Sequence, residues 1–255
     1  NDMLYNAIEA LESNPDQLSN RYEHILVDEF QDVAIGQIRM LQQLAEGEQG
    51  ARLFCVGDDW QSIYAFSGAV VQYFIEFDDY LGPGTQTLLT RNFRCPAEIV
   101  NASTELIQKN PDQVTKEING IVAGDGSLRV HPINGDSDND TDTDWTYINR
   151  VGEYAVDLVE RYINAGSSLD EIMVLSRYGS GAEYTDCLRD VLEDRGIACR
   201  GRDTDSPDRP DGCEEENETG VSVLTAHKAK GKEAKHVILL HAASDPSGFS
   251  PQSKN

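Results

Sequence analysis

The stretch Ile25-Leu26-Val27-Asp28-Glu29-Phe30-Gln31-Asp32 decides how this chain is read. Three apolar residues make a short strand, and two adjacent carboxylates stand at its C-terminal end, where open α/β sheets place their ligands. Downstream, Ile35, Ile38, Met40, Leu41 and Leu44 follow a helical spacing, and Leu53-Phe54-Cys55-Val56 forms a second apolar run. Strand, helix and strand at this pitch predict a parallel α/β sheet. Upstream, Met3, Leu4, Ala7, Ile8 and Leu11 predict a helix, closed by Ser13-Asn14-Pro15-Asp16.

The alternation continues along the chain. Helices are expected near 69–77, from Pro96 onward, and over 145–165 and 182–195. Strands are expected near 87–89, 128–131, 172–175, 221–224 and 237–240. The segments 135–144 and 201–220 carry too little apolar surface to build a core and read as solvated acidic loops.

With 255 residues, the chain is long enough for one large or two modest domains. Lys+Arg 21 against Asp+Glu 45 gives a net charge of -24, but 39 % hydrophobic residues in spaced blocks exclude a disordered acidic polymer. Such a charge ordinarily opposes nucleic-acid binding. It also resembles the acidic surface of halophilic proteins, where molar salt screens self-repulsion. Four of the seven lysines, Lys228, Lys230, Lys232 and Lys235, form the one basic cluster able to attract phosphate by charge alone. Five cysteines without a C-x-x-C pair indicate neither a zinc site nor a disulfide framework, so a reducing cytoplasm is expected. No apolar run approaches the roughly 18 residues of a membrane span.

Two constellations carry chemistry. In the first, Asp28 is suited to a water-bound Mg²⁺ and Glu29 to polarising a water that attacks a γ-phosphate. An acidic pair that merely caps a strand is the competing reading. In the second, Val56-Gly57-Asp58-Asp59-Trp60-Gln61-Ser62-Ile63-Tyr64-Ala65-Phe66 leaves the other strand end. Gln61 can sense a phosphate there, and Tyr64 and Phe66 either offer faces to bases or lie in the core beneath a loop.

In that order and spacing, these blocks resemble motifs II and III of the UvrD/Rep family of superfamily 1 DNA helicases. Leu89-Thr90-Arg91-Asn92-Phe93-Arg94 resembles motif IV, and Thr225-Ala226-His227-Lys228-Ala229-Lys230-Gly231-Lys232-Glu233 resembles motif V. The resemblance implies Asp28 for Mg²⁺, Glu29 as general base and Gln61 as the link between γ-phosphate and DNA. It implies Tyr64 and Phe66 as a platform for single-stranded DNA, Phe93 stacking on adenine and Arg94 as an arginine finger. It places Thr225, His227 and Lys230 around DNA and the nucleotide, and Glu233 near the ribose. Ser67 and Lys232 depart from the family pattern, and the inserted subdomain of relatives is reduced to 201–220.

No G-x-x-x-x-G-K-[ST] phosphate loop occurs in the sequence. The family carries that loop upstream of motif II and a further Arg-bearing motif downstream of motif V. The chain is therefore expected to be an internal piece of an ATP-dependent 3′-to-5′ DNA helicase, inactive by itself. It would hold the end of one RecA-like motor domain (1–90), most of a second (91–245) and a tail (246–255). ATP, Mg²⁺ and single-stranded and duplex DNA are the implied ligands, and repair or replication proteins the implied partners. The alternatives are a non-catalytic DNA-binding module and the motor portion of a helicase–nuclease.

Overall fold

A computed structural model describes residues 2–13, 21–45, 50–124, 126–133, 145–177, 183–200 and 219–240. The expected acidic loop 135–144 and nearly all of 201–220 lie outside these residues, as does the tail. The chain divides into two compact units, Asn1–Val130 and His131–Asn255. Among the described residues no helix is long and apolar enough to cross a membrane.

In the first unit, α1 (Asp2–Ser13) packs on α2 (Ile35–Ala45), and β1 (His24–Val27) pairs in parallel with β2 (Arg52–Cys55). The period of two is plain in both strands. Ile25, Val27, Leu53 and Cys55 turn toward a core of Phe30, Val33, Ile38, Leu41 and Tyr73, while Leu26 and Phe54 are exposed. That core holds Cys55 in apolar surroundings, and burial pushes its thiol up to about 11.

Beyond β2 the polypeptide departs from the expected pattern. The single helix expected near 69–77 is two short ones, α3 (Gln72–Ile75) and α4 (Phe77–Leu81), because Glu76 leaves helical geometry at φ -106, ψ 42. Residues 87–89 form no strand, and Leu88 and Leu89 are exposed. Pairing begins two residues later, where β3 (Arg91–Pro96) runs parallel to β4 (Asn119–Val122), with α5 (Ala97–Ile107) between them. Residues 128–131 form no strand either. β4 takes that role, and its Gly120 lies against the start of α5, where a Cβ would come within 2.8 Å of the Ala97 Cα.

The second unit is more regular. A four-stranded parallel sheet has the order β6-β7-β5-β8, from Cys199–Arg200, Val221–Thr225, Ile172–Ser176 and His236–Leu239. Its central strand β5 is buried along nearly its whole length, as a strand covered on both faces must be. The long α6 (Trp145–Asn164) and α7 (Glu183–Asp194) pack on each other. Val151, Val156, Val159, Leu188 and Leu192 join Ile172, Val174, Val221 and Val223 in one core. The short β6 carried no signal in the sequence.

Candidate functional site

Parallel pairing of β1 with β2 brings Asp28-Glu29 and the loop after Val56 to the same end of the sheet. The Val56 N–H donates to the Val27 carbonyl (2.8 Å) and the Phe30 N–H returns to the Val56 carbonyl (2.9 Å), so the two strand ends stay locked together as they leave the sheet. Glu29 turns the corner in the left-handed region, at φ 50, ψ 41, the one non-glycine positive φ among the described residues. A side chain there is strained, and the Glu29 N–H is held by the Asp28 Oδ1 at 2.8 Å.

Gln31 joins the two loops. It is fully buried; its Nε2 donates to Glu29 Oε2 (2.6 Å) and its Oε1 accepts the Asp58 N–H (3.0 Å). Gly57 makes the approach possible: a Cβ there would stand 2.5 Å from the Gln31 Oε1. Asp58 then accepts the Gln61 amide on Oδ2 (2.8 Å) and the Trp60 N–H on Oδ1 (3.2 Å), capping the 3₁₀ turn Asp59–Gln61. A continuous hydrogen-bonded chain therefore runs Glu29–Gln31–Asp58–Gln61.

Asp58 and Asp59 also meet Lys116, which donates to Asp58 Oδ1 at 2.5 Å and Asp59 Oδ1 at 2.6 Å. Burial pushes the Asp58 carboxyl up, but hydrogen bonds from Lys116 and Gln61 and the Lys116 charge outweigh it and hold it below 3.8. Sequence reasoning assigned no role to Gln31, Asp58, Asp59 or Lys116. The first three lay inside quoted motifs, and their polarity at a strand end was the available signal. Lys116 offered none.

Farther along the second loop, the Tyr64 and Phe66 rings lie 6.0 Å apart at 50°. Phe66 is 76 % exposed, so it is not a core residue beneath the loop. On β3, Phe93 is 72 % exposed and Arg94 is exposed, with the Arg94 N–H accepted by the Asn92 side chain at 2.9 Å.

The remaining expected residues belong to the second unit. Thr225 ends β7 beside the end of β5, where the Ala226 N–H donates to the Ser176 carbonyl at 3.1 Å. Its hydroxyl accepts the Lys228 N–H at 3.2 Å, and the turn continues through His227 and Lys230 to Gly231 at φ 77. His227 and Lys230 are half-buried, whereas Glu233 is exposed.

Among the described residues no group of three or more His, Cys, Asp or Glu could cage a metal ion. A Mg²⁺ that arrives with phosphates needs less. One or two carboxylates plus water and phosphate oxygens suffice, and the exposed Asp28 carboxylate fits that demand.

Residues 1–81 match the UvrD/REP helicase N-terminal domain. The chain is similar to DNA helicase IV of Escherichia coli, with 36 % identity over 123 residues, 48 % of this chain and 18 % of that protein. It is similar to DNA helicase II of Haemophilus influenzae at 27 % over 203 residues, covering 78 % of this chain and 25 % of the relative. It also resembles the ATP-dependent DNA helicase PcrA of Staphylococcus epidermidis, at 26 % over 179 residues, 69 % of this chain and 23 % of the relative. The chain thus spans a quarter or less of these relatives' lengths. With the ordered motifs following parallel strands and the matched N-terminal domain over residues 1–81, this chain is similar to UvrD/Rep helicases.

Proposed function

We propose that this chain supplies part of the motor of an ATP-dependent, 3′-to-5′ DNA helicase, coupling ATP hydrolysis to movement along single-stranded DNA and opening of duplex DNA. One observation carries the reading. The carboxylate suited to be the base, Glu29, and the amide suited to sense phosphate, Gln61, belong to a single hydrogen-bonded chain through Gln31 and Asp58. A change at one end is felt at the other without crossing solvent.

In this reading Glu29 accepts the proton of the water that attacks the γ-phosphate, and the Gln31 amide holds its carboxylate in place. Mg²⁺, held by Asp28, would neutralise charge on the phosphates. Gln61 leaves Asp58 to meet the γ-phosphate, so nucleotide arrival competes with a contact visible here. Phe93 presents a face to adenine, and Arg94 balances charge as the phosphate transfers. For Glu233 the motif resemblance suggests a role toward a ribose, and for Thr225, His227 and Lys230 roles toward DNA. We read 1–90 as belonging to the first motor domain and 91–245 to the second.

Tyr64 and Phe66 serve as the stacking platform. The test is fluorescence anisotropy with labelled oligo-dT on the gene product that contains this chain. Phe66→Ala is expected to lose about 1–3 kcal/mol of affinity, the worth of one base on one ring. Unchanged affinity would remove Phe66 from the DNA path.

A further inference from the structure

Lys116 lies outside every motif, yet its side chain is only 10 % exposed in a chain whose charge is -24. Its ammonium contacts two successive carboxylates, one of which, Asp59, is 1 % exposed, and it stands 4.7 Å from the Trp60 ring centroid. The backbone joins in: the Val114 N–H donates to Asp59 Oδ2 at 2.7 Å. Segment 113–117 is thus strapped across the turn that carries Gln61. Three residues after Lys116, β4 begins, and it pairs with β3, the strand of Phe93 and Arg94.

We propose that Lys116 is a positioning residue for the Gln61 loop: by holding Asp58 and Asp59 it fixes where the Gln61 amide rests and ties that loop to the β3–β4 pair. Asp58 divides its oxygens between the two roles. Oδ1 meets Lys116 and Oδ2 meets the Gln61 amide. Because a charged donor on one oxygen orients the whole carboxylate, the second oxygen is presented to Gln61 in one direction. Without the ammonium, two adjacent carboxylates, one of them buried, repel each other and the turn opens. The consequence for hydrolysis rests on the reading of Gln61 as the phosphate-sensing group. Movement of β3 as it meets nucleotide would then reach Gln61 through a solid link.

Amide hydrogen exchange on the 255-residue chain tests this without any nucleotide. In the wild-type chain the Val114 N–H is expected to exchange far more slowly than in an unstructured peptide, and free-peptide exchange there would overturn the strap outright. Lys116→Met is expected to speed exchange at Asp58, Gln61 and Val114 by about tenfold or more, leaving Val56 and Phe30, which close the β1–β2 ends, within about twofold. Lys116→Arg, which keeps a charged donor, is expected to restore protection. Wild-type protection at all three amides in Lys116→Met would contradict the proposal, as would equal loss at Val56 and Phe30 or failure of the arginine to rescue. Gln61→Ala in the gene product containing this chain separates the two readings: unchanged ATP turnover with that variant would remove the phosphate-sensing role while leaving the exchange result intact.

Discussion

Glu29 shows how much one residue can reveal. Its position beside Asp28 at a strand end was legible because adjacent carboxylates after an apolar run are easy to see. Its left-handed backbone was not legible, since nothing in a Glu-Phe-Gln string demands φ 50. The conformation follows from the turn that sends Phe30 into the core while Asp28 stays in solvent. A left-handed conformation costs an L-residue about 1–2 kcal/mol and glycine almost nothing. Glu29→Gly is therefore expected to be about 1 kcal/mol more stable to urea than Glu29→Ala, although both lose the same bond to Gln31. Equal stabilities would show that the backbone there is not strained. Gln31 and Lys116 mark the limit of sequence reading at this scale. Both act on partners far away in sequence, Asp58 at a separation of 27 for Gln31 and 58 for Lys116.

Elements were legible where periodicity was long. The sequence placed helices over 145–165 and 182–195, close to α6 and α7, because amphipathic spacing over many turns leaves little choice. It misplaced β3 and β4, for short apolar triplets such as 87–89 look like strands whether or not a partner edge exists. The second unit's edge strand β8 illustrates a further property that only packing sets. His236 stacks on Tyr162 of α6, with ring centroids 4.0 Å apart at 12°, and its Nε2 meets the Ser167 hydroxyl at 2.9 Å. Burial, then the neighbouring Lys235 charge, push its pKa below 6.5, with Glu171 opposing. The unfolded chain then binds that proton more readily than the folded one, so stability rises with pH and is lost as pH falls below about 6.5. Urea midpoints measured from pH 7.5 to 5.5 are expected to fall in the wild-type chain and to fall less in His236→Gln. Identical slopes would assign the effect elsewhere.

At the scale of the whole molecule, the sequence conveyed class more readily than connection. Alternating strands and helices marked parallel α/β architecture, and four ordered motifs marked the helicase resemblance, because both live in local patterns. The link that makes a site of those motifs is long-range: Gln31, Gly57, Asp58 and Lys116 knit strand ends into one hydrogen-bonded body. Charge follows the same rule. The overall excess of carboxylates is plain in composition, but their management is not; Arg195, for example, collects Glu153, Asp157 and Glu160 from one face of α6. The central claim is that Glu29 is the base of an ATP-driven motor. Its most direct test is steady-state ATP hydrolysis, with oligo-dT present, by the gene product containing this chain, comparing wild type with Glu29→Gln. The expected result is turnover lower by about a hundredfold or more with ATP affinity little changed, as removal of a general base requires; equal turnover in the two proteins would contradict the account.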